Sequence, residues 1–298
     1  MQLNGVEVID AFAEAFPMTA TRLIITAADS FWARRAAESM TGFATSVIGC
    51  GCEAGIEHEI PAEQTPDGRP GIAVLLFAMN GKELEKQVVR RAGQCVLTCP
   101  STSIFSGMPE GKRVSLGDKL RYFGDGFQIS KKIDNKRFWR VPVMDGEFVC
   151  EESTCRIPAV GGGNFLVLST SLDGALKACE SAMHEMLKLP DVIMPFPGGV
   201  ARSGSKVGSK YKSLNASTND AFCPTLRSIT KTLLPEDVTA ALEVVVDGLT
   251  EQAVAKAMKV GIEAACQEGG RHGLKAVTGG NYGGQLGPFH FHLHEILK

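Results

Sequence analysis

The chain has 298 residues, 44% of them hydrophobic and 21% charged, which allows one large or two medium domains with real cores and excludes a disordered or fibrous chain. Its 31 Lys+Arg nearly cancel its 33 Asp+Glu, so the average charge gives no reason to expect nucleic acid as a partner. No run of about 18 apolar residues suggests a membrane span. The start, Met1-Gln2-Leu3-Asn4-Gly5, lacks a secretory pattern, and nine irregularly spaced cysteines read as reduced thiols of a cytoplasmic protein.

In chain order, one plan recurs four times: strand, polar cap, amphipathic helix, strand. Arg22–Ala27 (RLIITA) is the first apolar run; Asp29 or Ser30 caps a helix with Trp32, Ala36 and Met40 on one face, and Thr45–Ile48 reads as the returning strand. Ile72–Phe77 (IAVLLF) opens the second copy, with Asn80 as cap and Glu83 three residues on, a capping-box arrangement. Its helix buries Leu84, Val88 and Ala92, and Cys95–Thr98 returns as a strand. The third copy runs through Phe165–Leu168, a cap at Ser171, and Leu172, Leu176, Cys179, Met183 and Met186 at helical spacing, to Val192–Met194. The fourth takes Leu242–Val246, a cap at Thr250, a face of Val254, Met258, Ile262 and Ala265, and Leu274–Val277. Tandem β-α-β units suit a split β-α-β arrangement. The expected fold is therefore α+β, two ferredoxin-like sandwich lobes at 1–150 and 151–298, ahead of a single doubly wound sheet.

Glycine is in excess, 33 residues where a typical share is about 7%. Three clusters carry it: Gly161-Gly162-Gly163-Asn164, placed just before a strand; Pro195-Phe196-Pro197-Gly198-Gly199 running on to Lys210; and Gly279-Gly280-Asn281-Tyr282-Gly283-Gly284. Such loops either make tight turns or aim N–H groups at ligand oxygens. None fits a nucleotide motif: Gly204-Ser205-Lys206 has Ser where a P-loop needs its second Gly, and Gly49–Gly55 is one residue too long for a dinucleotide fingerprint. The second cluster is locally basic, with Arg202, Lys206, Lys210 and Lys212, which describes either a solvated loop or a dock for an anionic tail.

His290, His292 and His294 would share one face of a strand and three His can bind zinc, but nothing completes the site, and a polar edge strand is the commoner meaning. No cysteine stands apart from the others. Glu243 lies in the otherwise apolar Leu242–Val246 strand. Either it is partly desolvated, with a pKa raised into the range of a general base, or it points outward at a sheet edge.

Thr65-Pro66-Asp67-Gly68-Arg69-Pro70-Gly71, Gly93-Gln94-Cys95-Val96-Leu97-Thr98, Pro195–Gly199 followed by SGSKVGSK, and Gly279–Gly284 together resemble the formylmethanofuran–tetrahydromethanopterin formyltransferases. The likeness runs from Asn4-Gly5-Val6 to Leu293-His294-Glu295. It implies two ferredoxin-like lobes, a homotetramer, no metal and no bound prosthetic group. It also implies methanofuran and tetrahydromethanopterin as cosubstrates, with Glu243, in Glu243-Val244-Val245-Val246-Asp247-Gly248-Leu249, as the general base. Substrate contacts are expected from Gly198, Gly199, Arg202, Ser205, Lys206, Gly279, Gly280, Asn281 and Tyr282. Gln285, Arg202 and His290 depart from the archaeal pattern and, with Phe123–Lys131, resemble the bacterial branch. There the enzyme resembles one subunit of a formyltransferase/hydrolase complex that oxidises formaldehyde to formate, so other subunits are expected partners. Two rival classes stand beside this one: a transferase or hydrolase acting through a cysteine such as Cys95, and a non-catalytic scaffold for partner subunits.

Overall fold

The computed structural model describes residues 1–298. The chain forms two compact units, Met18–Ala159 and a discontinuous one of Met1–Pro17 with Val160–Lys298. Met1–Pro17 thus groups with the C-terminal part of the chain.

In chain order the first half carries β1 (Gln2–Leu3), β2 (Val6–Val8), β3 (Phe12–Thr26), α1 (Ser30–Thr41), α2 (Val47–Cys50), β4 (Glu53–Ile60), β5 (Gly71–Ala78), α3 (Gly81–Arg91), β6 (Ser103–Ser106), β7 (Lys112–Ser115), α4 (Gly117–Leu120), β8 (Ile129–Ile133), β9 (Lys136–Val143) and β10 (Gly146–Glu151). Within Met18–Ala159, β3 lies between β5 and β6, β4 flanks β5, and all three pairings are antiparallel. The sheet continues through β10, parallel to β6, to β9 and β8. Asp29 caps α1 by accepting from the Trp32 N–H, and Asn80 caps α3 by accepting from that of Glu83. The apolar faces of these helices, Ala33, Ala36, Ala37 and Met40 with Leu84 and Val88, share a core with Leu23, Ile25, Val74 and Leu76.

Four details differ from the sequence reading here. Thr45–Ile48 is no strand: Ser46 caps the short helix α2, Gly51 ends it in the left-handed region at φ 76°, and the strand begins at Glu53. Cys95–Thr98 is no strand either. With no proline before Pro100, and despite Gly93, α3 runs on into a wide turn over Ala92–Val96, closed by the Leu97 N–H to the Ala92 carbonyl, and the strand starts at Ser103. Glu83 does not reach back to complete a capping box, because Lys86 and Gln87 one turn on take its carboxylate. Trp32 leaves more than a third of its surface exposed rather than joining the buried stripe.

The second half contributes β11 (Ser153–Ser169), α5 (Leu172–Met186), β12 (Val192–Ile193), β13 (Val200–Ala201), β14 (Ser205–Val207), β15 (Ala216–Thr218), β16 (Ala240–Gly248), α6 (Glu251–Gly269), β17 (Leu274–Thr278), β18 (Phe289–His292) and α7 (Leu293–Ile296). From residue 160 on, β11 lies between β16 and β17, and β12 and β13 line the other side of β16, every pairing antiparallel. Ser171 and Thr250 cap α5 and α6 as expected. The buried face of α5 is Ala175, Ala178, Cys179, Ala182, Met183 and Met186, whereas Leu172 and Leu176 point to solvent, so the stripe is rotated toward the alanines. Gly161–Gly163 does not precede the strand but lies inside β11: the register shifts between Val160 and Gly163, and Gly162 sits at φ 83° with the Phe16 ring where a Cβ would stand. The dominance of antiparallel neighbours in both units sets aside a doubly wound parallel sheet. The molecule is a mixed α/β protein, and none of its helices is long and apolar enough to cross a membrane.

Candidate functional site

On β16, alternation sends Leu242, Val244 and Val246 into the core shared with α5 and α6, and Glu243 to the opposite face. The strand is interior at this point: Leu166 of β11 pairs with Glu243 on one side and Ala201 of β13 on the other. The sheet-edge alternative for Glu243 therefore fails. Part of the residue's surface reaches solvent although its carboxyl group sits deep among protein atoms, and burial with no compensating hydrogen bond or cation pushes its pKa up to about 7.

The third glycine cluster lies against this face. Gly280 is clamped by Asn164: its N–H donates to Asn164 Oδ1 at 2.6 Å, while Asn164 Nδ2 donates to the carbonyls of Gly162 (3.1 Å) and Gly280 (3.3 Å). A Cβ on Gly279 would stand 2.6 Å from the carbonyl carbon of Phe12, so only glycine allows the chain to lie so close to β3. Asn281 is exposed and donates weakly to the Phe12 carbonyl at 3.4 Å. Tyr282 follows, half-buried, its hydroxyl donating to the Ser205 carbonyl at 3.0 Å. Burial, with the charges of Glu243 and Glu14 adding to it, pushes the Tyr282 phenol up to about 12.

The second cluster approaches from β13. Gly198 and Gly199 both take positive φ, at 63° and 79°, immediately before the strand whose Ala201 pairs with Glu243. Gly199 also presses on Met183, whose sulfur occupies the place of a Cβ. A Gly199→Ala exchange meets both obstacles and is expected to lower stability by about 1–3 kcal/mol, read as a drop in melting temperature. Arg202 is exposed one residue beyond Ala201, and Lys206, on β14, is ion-paired with Asp220. The face thus brings Glu243, Tyr282, Ser205, Gly198–Arg202 and Gly279–Asn281 into one neighbourhood. Gly280 N–H and the Asn164 amide are spent on each other, and the Gly199 N–H is spent on the Phe196 carbonyl at 2.7 Å, so these donors serve the loops rather than a ligand.

Glu14 adds a functional group that its sequence context does not mark. It is fully buried, and its carboxylate accepts from the N–H groups of Tyr282, Gly284 (3.0 Å) and Leu286 (2.7 Å). Burial raises its pKa, but these three bonds and the nearby His290 outweigh it and leave the carboxyl below the ordinary range. A carboxylate in the alternating AEAF segment carries no sequence signal for this, since its partners lie about 270 positions away.

The remaining candidates fall elsewhere. His290 and His292 flank the Phe12 ring at 4.9 and 5.3 Å, whereas His294 lies beyond the strand, on α7, and hydrogen-bonds the Val8 carbonyl; the three imidazoles do not share a face. Cys95 sits in the wide turn after α3, its thiol pKa raised by burial against the opposing charge of Arg91, the wrong direction for a nucleophile. Cys50 is shifted down: burial raises it, but bonds to Ser46 and Thr45 and the Arg91 charge prevail. In the TPDGRPG string, Arg69 binds Asp67, Thr26, Ser103 and the Ser101 carbonyl, which ties a turn to two strands.

Residues 1–143 match the family model for formylmethanofuran-tetrahydromethanopterin formyltransferase, and residues 146–296 match the model for the proximal lobe of the same enzyme. A formylmethanofuran–tetrahydromethanopterin formyltransferase of Methylococcus capsulatus is 62% identical over 297 residues, with all of both chains covered. A chain of the formyltransferase/hydrolase complex of Methylorubrum extorquens, solved with methylofuran, superposes with a TM-score of 0.97 at 49% identity, covering 100% of this chain and 99% of that one. The formyltransferase of Methanosarcina barkeri superposes at 0.93 with 45% identity, covering 99% and 100%. With both halves matched by their models and relatives this similar along the whole length, the chain belongs to the formylmethanofuran–tetrahydromethanopterin formyltransferase family.

Proposed function

We propose that the chain transfers a formyl group between formylmethanofuran and N5 of tetrahydromethanopterin, with Glu243 as general base. The observation that carries this reading is the Glu243 carboxylate itself: buried on the open face of β16, unpaired, and tuned by desolvation to the pH at which a base works best. The pterin N5 amine attacks the formyl carbon, Glu243 takes the amine proton, and the tetrahedral oxyanion collapses to expel the methanofuran amine, which regains a proton. Positioning and oxyanion stabilisation supply the rest of the barrier reduction. Gly198, Gly199, Arg202, Ser205, Lys206, Gly279, Gly280, Asn281 and Tyr282 form the substrate contacts, Gly199 and Gly280 by close backbone approach rather than through their N–H groups, with the basic side chains meeting anionic tails of the coenzymes. Lys206 is the costlier of the two cations to recruit, because a ligand there displaces Asp220.

No tightly bound cofactor enters this scheme; both coenzymes arrive and leave as cosubstrates. Each lobe is read as a ferredoxin-like sandwich, 1–150 and 151–298 supplying most of each. The supporting pattern is the strand order β4-β5-β3-β6 in one unit and β12-β16-β11-β17 in the other, each with a helix after its first and third strand. The working protein is a cytoplasmic homotetramer or a subunit of a larger complex. The Methylorubrum extorquens relative belongs to a formyltransferase/hydrolase complex, which supports the second arrangement and a role in oxidising formaldehyde to formate.

The test is the purified chain with both coenzymes, following formyl-tetrahydromethanopterin. Turnover is expected; its absence from a folded chain overturns the reading for the chain acting alone. The pH dependence follows from the base. With Glu243 titrating at about 7, kcat/KM is expected to be level above that pH and to fall tenfold per unit below it.

A further inference from the structure

We propose that Glu14 is a positioning residue for this reaction: by gathering three backbone N–H groups of the 282–286 turn, it sets that turn, and with it Tyr282, beside Glu243. The inference rests on the reading of Glu243 as the base. Its geometry is specific. Both carboxylate oxygens are used, one on Leu286 and the other shared by Tyr282 and Gly284, and all three donors come from one turn. Gly283 and Gly284 take left-handed φ of 77° and 73°, which turns alternate N–H groups inward around the anion as a nest. Beyond the two ends of the turn, Gly279 and Gly287 press directly onto the backbone of residues 12–16, where no Cβ fits. The Glu14 N–H adds a fourth tie, to the Gly280 carbonyl at 3.1 Å. Apart from the glycine contacts, the Asn281 amide and the Tyr282 hydroxyl on the Ser205 carbonyl, what holds the 282–286 turn in this shape is one buried charge.

The turn matters to Glu243 because desolvation alone raises that carboxyl, and Tyr282, held by the turn, lies close enough for the Glu243 charge to raise its phenol. Other titratable groups face the pair. His290 opposes Glu14 across the β3–β18 ladder, Arg202 follows the residue paired with Glu243, and Asp247 on β16 accepts from the Gly162 N–H. Desolvation, rather than any of these charges, is what raises Glu243. If the turn is released, water reaches Glu243 and its acid limb moves toward the ordinary carboxylate range.

The experiment uses the full chain with Glu14→Gln and Glu14→Ala. Glutamine keeps the size and one acceptor oxygen but presents an NH2 to the third N–H; alanine removes all three acceptors. Expected for both is faster hydrogen exchange at the amides of Tyr282, Gly284 and Leu286. Turnover should fall, on the order of 10²-fold for alanine, and the acid limb of kcat/KM should lie below its wild-type position near pH 7. A residue that only stabilises the fold would lower the melting temperature and leave the limb in place. Unchanged exchange at those three amides, or an unmoved limb, overturns the proposal. Glu243→Gln is measured in parallel: full turnover there removes the base assignment, while amide exchange still reads whether Glu14 holds the turn.

Discussion

Replacing Glu243 by glutamine is expected to lower turnover by about 10²-fold or more, the contribution of a general base, with little change in KM. The same exchange is expected to make the protein more stable. An acid whose folded pKa stands near 7, above its ordinary 4.5, binds more protons folded than unfolded between those values. Wild-type stability therefore falls as pH rises through that window and stays lowered above it. Glutamine has no charge to desolvate, so at pH 8 the variant should gain on the order of 1–3 kcal/mol, given about 1.4 kcal/mol per pKa unit and the partial opening of the site. A dead enzyme with a raised melting temperature is the signature of a group placed for chemistry. Loss of activity with loss of stability would mark Glu243 as structural.

Phe165→Ala should give the opposite combination. Phe165 is fully buried on the helix side of β11, its ring against α6, where a Cβ on Gly261 would lie 3.1 Å from it. Removing it leaves a cavity between sheet and helix and should cost about 3–5 kcal/mol, lowering the melting temperature by roughly 10 °C. Its neighbours Asn164 and Leu166 point to the opposite face, with Glu243. Far below the transition, formyl transfer should fall much less than in Glu243→Gln. Melting curves and turnover measured on the two variants together separate scaffold from reaction.

The helices were legible because their caps are local. Asp29, Asn80, Ser171 and Thr250 each accept from the N–H three residues on, a relation that a short window of sequence contains. The returning strands of the first two copies were not. Both are preceded by short apolar runs that look like strands, and what decides against Thr45–Ile48 and Cys95–Thr98 is a cap with a left-handed glycine in one case and an unbroken helix in the other. Glu243 was visible as a carboxylate in an apolar strand, but its face was not, since edge or interior depends on β13 arriving from a glycine-rich loop that has no strand pattern. Glu14 was invisible for a related reason. Its meaning lies wholly in N–H groups of a distant turn, and backbone donors leave no trace in residue identity.

The Glu14 contacts also bear on the order in which the protein is made. Its three partners follow it by 268 to 272 positions. At about 5–20 residues per second, a ribosome takes roughly 13–54 s to reach them. Until then β3 has neither the turn over its start nor the β18 ladder beside it, while residues 18–159 already hold every strand of their own unit. The face that holds Glu243 is thus completed only after residue 282 has been made, and until then the Glu14 carboxylate lacks its three backbone donors.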